Sequence, residues 1–154
     1  MRQPNKYTAQ QAAVRMLNIR AYSENEIRQK LSLRGFESTA VEDAINYLHD
    51  HSYLNDRAIC YSLFESYCKS NKYSFKFIVM KLKQRGISET IIRETTKGYD
   101  FSFEAEAACN ITKKHFKQIE ATDKIRINRY LAAKGFTIST ITKIINNLER
   151  NAPG

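Results

Sequence analysis

The sequence predicts an all-α protein made of three tandem three-helix repeats, helix-turn-helix-like in kind, that form an elongated, curved array. One sequence pattern occurs three times at nearly constant spacing, and each copy has apolar residues at helical intervals. Helix breakers are scarce, because only 5 of the 154 residues are Gly and 2 are Pro, and Pro4 and Pro153 lie at the two ends of the sequence. No alternating run bounded by turn residues supports a strand.

The recurring pattern has Ile, then Leu four residues later, then a basic residue, Gly and another apolar residue. Its copies are Ile27–Phe36, Ile78–Ile87 and Ile127–Phe136. Residues at i and i+4 share one helical face, so each copy predicts a short amphipathic helix. A Gly after a basic residue is typical of a helix C-terminus with left-handed backbone. The predicted helix ends are Gly35, Gly86 and Gly135, and the predicted N-caps are Ser23, Ser74 and Asp123.

Two further helices complete each repeat. After the glycine, an apolar stripe with a helical period follows, and it is clearest in Val41–Leu48 and Ile141–Leu148. The predicted caps of these helices are Ser38, Ser88 and Thr137. The helices that precede the pattern are predicted at Thr8–Ile19, Asp56–Ser70 and Phe103–Ile119. The repeats are therefore expected at residues 1–50, 51–100 and 101–154.

Composition and targeting signals indicate a globular cytoplasmic protein. Hydrophobic residues make up 42% of the chain and charged residues 27%. No apolar stretch approaches the roughly 18 residues of a membrane span, and the first residues lack the apolar core of a signal peptide. The three scattered cysteines, Cys60, Cys68 and Cys109, are expected to be reduced and buried.

The chain is strongly basic, and the charge is unevenly distributed. The formal net charge at pH 7 is +9, of which residues 1–50 contribute +1 and residues 51–100 and 101–154 contribute +4 each. Such a surface attracts phosphates and releases their counterions, which favours a polyanionic partner. A merely solubilising surface is the alternative.

The chain offers no convergent set of reactive groups, so we predict a non-enzyme without catalytic, cofactor-binding or metal-binding residues. Its histidines are His49, His51 and His115, and no C-x-x-C or H-E-x-x-H spacing accompanies them. The repeat glycines stand alone, so they do not form a phosphate-binding loop.

Basic residues mixed with aromatic residues are the remaining candidates for function. We expect them to contact phosphates or an acidic protein groove, although solvated helix faces would give the same pattern. The candidate contact residues are Lys72, Lys76, Lys81, Lys83, Lys113, Lys114, Lys117, Arg126 and Arg129.

Three stretches resemble the RecX family of bacterial recombinase regulators. The stretches are Ser23–Phe36, the tetrapeptide Tyr53-Leu54-Asn55-Asp56 and Leu82–Ile87, and the resemblance extends over about residues 8–148. The chain departs from the family pattern at Ser52 and Ser74, where the family has Gly. From the residues alone, we expect the first half of the tetrapeptide to be an apolar plug and Asn55 or Asp56 to cap the next helix.

The resemblance implies a monomeric regulator that binds the RecA recombinase and enters the groove of its nucleoprotein filament. It would inhibit filament extension, ATP turnover and strand exchange, and so modulate recombination, DNA repair and the SOS response. Weak contact with single- or double-stranded DNA would accompany this binding. The alternatives are a direct DNA-binding helix-turn-helix protein and a protein-binding helical adaptor.

Overall fold

The computed structural model describes residues 5–151, apart from the side chain of residue 121. Within this range the chain has nine α-helices, one short 3-10 helix and no strand, which confirms the predicted all-α class. The α-helices are α1 (Ala9–Ile19), α2 (Glu24–Leu33), α3 (Ser38–Asp50), α4 (Asp56–Ser70), α5 (Phe75–Gln84), α6 (Glu89–Thr96), α7 (Phe101–His115), α8 (Lys124–Ala133) and α9 (Ile138–Arg150). The 3-10 helix is Ala121–Asp123.

The helices that open the three repeats agree with the predicted ranges in two cases out of three. Helix α4 matches its prediction, and α1 follows its predicted first residue, Thr8, which is the N-cap. Helix α7 begins two residues earlier than predicted because Asp100 caps it, accepting a hydrogen bond of 2.9 Å from Ser102 N–H. It ends four residues earlier than predicted, at His115. Phe116 leaves the helical backbone there and is only 8% exposed.

Four of the six N-caps predicted for the second and third helices of the repeats are confirmed by their hydrogen bonds. In each of them a side-chain hydroxyl accepts a hydrogen bond from the backbone N–H three residues later, as an N-cap does. These caps are Ser23, Ser74, Ser88 and Thr137, with distances of 3.1 to 3.3 Å.

The other two predictions differ in outcome: Asp123 has the predicted position without a capping bond, and Ser38 is wrong. Asp123 occupies the N-cap position of α8, but its carboxylate makes no capping bond there. It accepts instead from Glu120 N–H at 2.9 Å and closes the 3-10 turn that precedes the helix. Ser38 lies one residue inside α3, whose N-cap is Glu37, and no side chain caps that helix. The Asp123 side chain therefore stabilises the turn before α8 and does not cap the helix itself.

The chain forms two compact units. Unit 1 contains the residues up to Ser62 together with Leu82–Thr95, and unit 2 contains Leu63–Lys81 together with the chain from Thr96 onward. The core of unit 1 is formed by α1, α2 and α3, and the core of unit 2 by α7, α8 and α9 with Phe116. Helices α4, α5 and α6 of the middle repeat divide between the two units. The division into three domains at residues 50 and 100 stays a prediction.

A serine joint connects consecutive repeats inside each unit. In unit 1 the Ser23 hydroxyl donates to the Arg85 carbonyl at 2.5 Å. In unit 2 the equivalent hydroxyl of Ser74 donates to the Lys134 carbonyl at 2.8 Å. Each carbonyl belongs to the residue that precedes a repeat glycine. The same serine thus caps its own helix and bonds the turn of the next repeat.

A carboxylate completes each serine joint. Asp56 on α4 accepts from Glu24 N–H at 3.1 Å, and Glu104 on α7 accepts from Phe75 N–H at 3.2 Å. Both donors are the first residue of the helix that the joint serine caps, so an anion lies at a helix N-terminus in both joints. Glu104 is fully buried. Its second oxygen accepts from the hydroxyls of two threonines, Thr137 at 3.0 Å and Thr140 at 2.6 Å.

The repeat glycines have the predicted left-handed backbone, with φ of +89° at Gly35, +75° at Gly86 and +88° at Gly135. At two of them close packing adds a second requirement. A Cβ on Gly86 would lie 2.8 Å from the Cβ of Asn25, and a Cβ on Gly135 would lie 2.9 Å from Ser74 Oγ. A side chain is therefore excluded at Gly86 and Gly135 by close packing as well as by backbone geometry.

Candidate nucleic-acid interface

The predicted contact residues are concentrated in unit 2. Eight of the nine belong to it, and only Lys83 belongs to unit 1. Unit 2 contains 14 Lys and Arg against 7 Asp and Glu, a formal charge of +7, whereas unit 1 contains 11 against 9, a charge of +2. The positive charge therefore follows the compact units more closely than it follows the three sequence repeats.

Most of these cations have no ion-pair partner. Among the described residues, only Arg126 of the nine pairs with a carboxylate, that of Asp123 at 3.0 Å. Eight of the nine are exposed, and the exception is the half-buried Lys81. Unit 1 differs, because five of its arginines form ion pairs: Arg20, Arg28, Arg57, Arg85 and Arg93. The positive charge of unit 2 is therefore available to an external anion.

One shallow depression in unit 2 brings two of the predicted lysines beside aromatic rings. We call it the Tyr130 pocket. Its volume is about 400 Å³, and its lining residues are Lys72, Ile111, Lys114, His115 and Tyr130. The imidazole of His115 stacks on the Tyr130 ring with a centroid distance of 4.2 Å and an interplanar angle of 13°.

Two other predicted residues line separate depressions of unit 2. Lys76 lies at the edge of a largely apolar pocket of about 380 Å³ together with Phe75, Phe101 and Phe136. Arg129 lines a further depression of about 410 Å³ at the start of α8. The structure does not gather the nine cations into one site.

Sequence analysis did not select His115 or Tyr130 as contact residues. His115 stands in the basic stretch Lys113–Lys117 without being one of the nine candidate cations, and Tyr130 stands inside a repeat helix. The repeat alignment contains a usable signal, because Tyr130 occupies the position of Lys30 and Lys81 in the other two copies. A ring that replaces a lysine at a helical position that is at least partly exposed in all three copies indicates a change in what that position contacts.

The tetrapeptide Tyr53–Asp56 is mostly structural. Leu54 packs against the core of unit 1, as predicted, and Asn55 caps α4 by accepting from Ala58 N–H at 3.0 Å. Tyr53 differs from the expected plug, because it is 51% exposed. Its ring stacks on His51 at a centroid distance of 5.6 Å. Burial raises the pKa of Asp56 above its ordinary value, and the hydrogen bond from the backbone of α2 offsets part of this effect.

The histidines of unit 1 make local contacts. His49 Nε2 lies 3.1 Å from a Glu24 carboxylate oxygen, and His51 Nδ1 lies 2.9 Å from the Tyr47 carbonyl. Over residues 5–151, no group of three or more His, Cys, Asp or Glu side chains could hold a metal ion. None of the helices in that range combines the length and the apolar character that crossing a membrane requires.

The cysteines are free thiols with different exposure. Cys60 is fully buried, as predicted, whereas Cys68 and Cys109 are partly exposed. Burial raises the pKa of the Cys60 and Cys68 thiols. A raised pKa reduces the thiolate fraction, which is the reactive form, so these two positions have the character of packing residues.

The fold and the surface define a class: a small all-α repeat protein in which most of the predicted contact cations have no ion-pair partner within residues 5–151. Comparison with known proteins shows what the chain is similar to. Residues 9–48 match a family model described as RecX, first three-helix domain. The chain is similar to the RecX family of regulatory proteins.

Relatives and solved structures are similar to this chain over most of its length. The protein named Regulatory protein RecX from Vibrio campbellii is 29% identical over 138 residues, which is 88% of both chains. The protein of the same name from Clostridium botulinum strain Alaska E43 is 26% identical over 144 residues. That match covers 88% of this chain but only 66% of the relative's length. The crystal structure of RecX from Lactobacillus salivarius has the same fold, with a TM-score of 0.77, 22% identity, and coverage of 92% of this chain and 95% of that one.

Proposed function

We propose that this protein binds the RecA recombinase and its nucleoprotein filament in the cytoplasm, and inhibits filament extension, ATP turnover and strand exchange. It would act as a monomer, without catalysis or a cofactor, and with weak contact to single- or double-stranded DNA. Recombination and DNA repair are the processes that it would modulate. The observation that carries the proposal, beside the similarity to the RecX family, is the set of cations in unit 2 that have no carboxylate partner among the described residues.

Unpaired cations favour an anionic partner for a physical reason. An exposed lysine that already holds a carboxylate contributes little more to a new partner, whereas a free one gains a new Coulomb contact and releases counterions from the partner. The nucleoprotein filament is a polyanion that is long enough for many weak contacts to add up. The paired arginines of unit 1 have their charge already compensated, so unit 2 is the expected contact unit.

The proposal is tested with a recombinase ATPase assay on single-stranded DNA, titrated with this protein. The test variant reverses Lys113, Lys114 and Lys117 to Glu, because all three are exposed and unpaired among the described residues. We expect the half-inhibitory concentration to rise by about tenfold or more, since each exposed charge contact contributes about 0.2–1 kcal/mol and reversal adds repulsion. Far-ultraviolet circular dichroism checks that helicity is retained.

A matched control separates a specific cationic site from general charge. Reversing Arg15, Lys30 and Arg34 to Glu changes the net charge by the same amount, but in unit 1. We expect this control to inhibit nearly as well as wild type. Equal loss of inhibition in both variants, or no inhibition by wild type at physiological salt, would contradict the proposal. Tight, sequence-selective binding to bare duplex DNA would favour a helix-turn-helix protein instead, and a response to neither DNA nor recombinase would favour an adaptor.

A further inference from the structure

The Tyr130 pocket combines two features that ordinary basic surfaces lack: a preformed pair of stacked rings and two free ammonium groups beside it. Its lining comes from three places in unit 2, namely the turn before α5, the C-terminal part of α7 and the middle of α8. All of them belong to the same compact unit. No acidic residue lines the pocket.

The core of unit 2 supports the stacked rings of His115 and Tyr130. Phe116, which is 8% exposed and part of the unit 2 core, meets the Tyr130 ring edge-on at a centroid distance of 5.6 Å and an angle of 90°. Tyr130 itself is partly buried against that core. His115 is exposed and stacks on Tyr130, so an aromatic surface faces solvent without needing to rearrange. A prearranged surface loses little conformational entropy when it binds a flat ligand.

The charges around the rings are positive and available. Lys72 and Lys114 are exposed, and within the described part of the chain neither pairs with a carboxylate. The ammonium of Lys134 lies 5.6 Å from the centroid of the Tyr130 ring, which adds a third cation near the platform. A ligand that suits this site is flat and aromatic and carries negative charge on both sides of the flat group.

We propose that the Tyr130 pocket binds single-stranded nucleic acid. An unpaired base stacks on the His115–Tyr130 pair, and the flanking phosphates contact Lys72 and Lys114. Duplex DNA offers its phosphates but keeps its bases stacked inside, so it cannot use the rings. An acidic peptide likewise uses the lysines alone. The inference deepens the DNA-contact part of the proposed function, and it can fail independently of recombinase inhibition.

The test compares ligands with and without bases, and ligands with deoxyribose and with ribose. Fluorescence anisotropy measures binding of labelled 12-residue oligothymidylate, oligouridylate and an oligomer of abasic residues with the same number of phosphates. We expect wild type to prefer the base-bearing oligomers by about fivefold or more, because stacking on a protein ring is a substantial part of such affinities. The deoxy and ribo arms show whether DNA or RNA is the better source of the base.

Two substitutions divide the site into its parts. His115→Ala removes the exposed ring, and we expect it to abolish most of the preference for bases while keeping abasic binding. Lys114→Ala is expected to weaken the binding of all three oligomers alike. It should also reduce the slope of log affinity against log salt concentration by about 0.7, the value for one phosphate contact on a single strand. His51→Ala is the matched control, since His51 is also exposed and lies 4.0 Å from a tyrosine ring, but in unit 1. It should leave every affinity unchanged.

Equal affinity of wild type for abasic and base-bearing oligomers would overturn the proposal, as would a base preference that survives His115→Ala. The same proteins are also measured in the recombinase ATPase assay. Inhibition without base preference would refute only the proposal that the Tyr130 pocket binds single-stranded nucleic acid. Base preference without inhibition would support that proposal and refute the proposed function.

Discussion

The serine joint of unit 2 predicts that Gly135 is a far more sensitive position than its backbone angle suggests. Gly98 provides the comparison, because it belongs to the same unit and has nearly the same φ, +82° against +88°. An added Cβ would meet no atom within 4 Å at Gly98, but would lie 2.9 Å from Ser74 Oγ at Gly135. Alanine at either position has the same backbone cost, and only Gly135→Ala disturbs the joint.

The magnitudes follow from these contacts. Left-handed backbone costs a non-glycine residue about 1–2 kcal/mol, and the stiffer unfolded chain returns about 0.4–1 kcal/mol, so Gly98→Ala should cost about 1 kcal/mol or less. At Gly135 the Ser74 hydroxyl must also move away. Its bond to the Lys134 carbonyl, at 2.8 Å, and its capping bond to Phe77 N–H, at 3.1 Å, are then weakened. Each contributes about 1 kcal/mol, so Gly135→Ala should cost about 2–4 kcal/mol in total.

The assay is urea unfolding followed by circular dichroism at 222 nm, with amide hydrogen exchange to locate the lost stability. A double-mutant cycle with Ser74→Ala gives the sharper result, because removing the hydroxyl removes the atom with which the new Cβ collides. In that background Gly135→Ala should cost no more than Gly98→Ala, which corresponds to a coupling energy of about 1–3 kcal/mol. Equal costs for the two glycine variants, or a coupling near zero, would refute the joint as the cause.

The two carboxylates of the joints should respond differently to substitution. Glu104→Leu should destabilise unit 2 by about 2–4 kcal/mol in urea unfolding, because three donors, of which the Thr140 hydroxyl is buried, lose their acceptor. Glu104→Gln should cost less, and equal losses would contradict this. The pKa of Asp56 is raised in the folded protein, so the folded protein binds this proton more tightly than the unfolded chain does. The free energy of unfolding therefore falls as the pH rises from about 3.8 through the raised pKa. Asp56→Asn keeps an acceptor for Glu24 N–H, so this contribution should disappear from the pH dependence of unfolding. A wild-type pH profile in Asp56→Asn would contradict the assignment.

The helical elements could be predicted from the sequence because their signals are local. Cap residues, the glycine turns and the apolar stripes each act within about one helical turn, and the ranges of α1 and α4 follow from them closely. The end of α7 could not be predicted in this way. It depends on Phe116 turning inward to the core of unit 2, which is a tertiary contact that no neighbouring residue signals.

In the candidate site, too, the contacts made only after folding could not be predicted from the sequence. The candidate lysines could be predicted from stretches that mix basic and aromatic residues, and a surplus of cations must leave some of them unpaired. The stacked pair of His115 and Tyr130 could not be identified, because the two residues lie 15 positions apart on different helices and meet only after folding. Nor could sequence alone show that the arginines of unit 1 are compensated, because some of their partners are distant in the chain, as Arg57 and Glu94 are.

The serine joint also explains why the three copies of the repeat are chemically unequal. The carbonyl before the first repeat glycine, that of Arg34, accepts from the side chain of Asn5 at 3.0 Å, whereas the equivalent carbonyls in the second and third copies accept from Ser23 and Ser74. At the joint-serine position the third copy has Asp123, and a carboxylate can only accept, so it could not donate to a further carbonyl. Its oxygens are used instead by Glu120 N–H and by Arg126. The residue type at this position therefore matches the hydrogen bonds that each copy makes. Ser occurs in the two copies whose hydroxyl donates to the turn of the next repeat, and Asp123 occurs in the copy whose side chain only accepts.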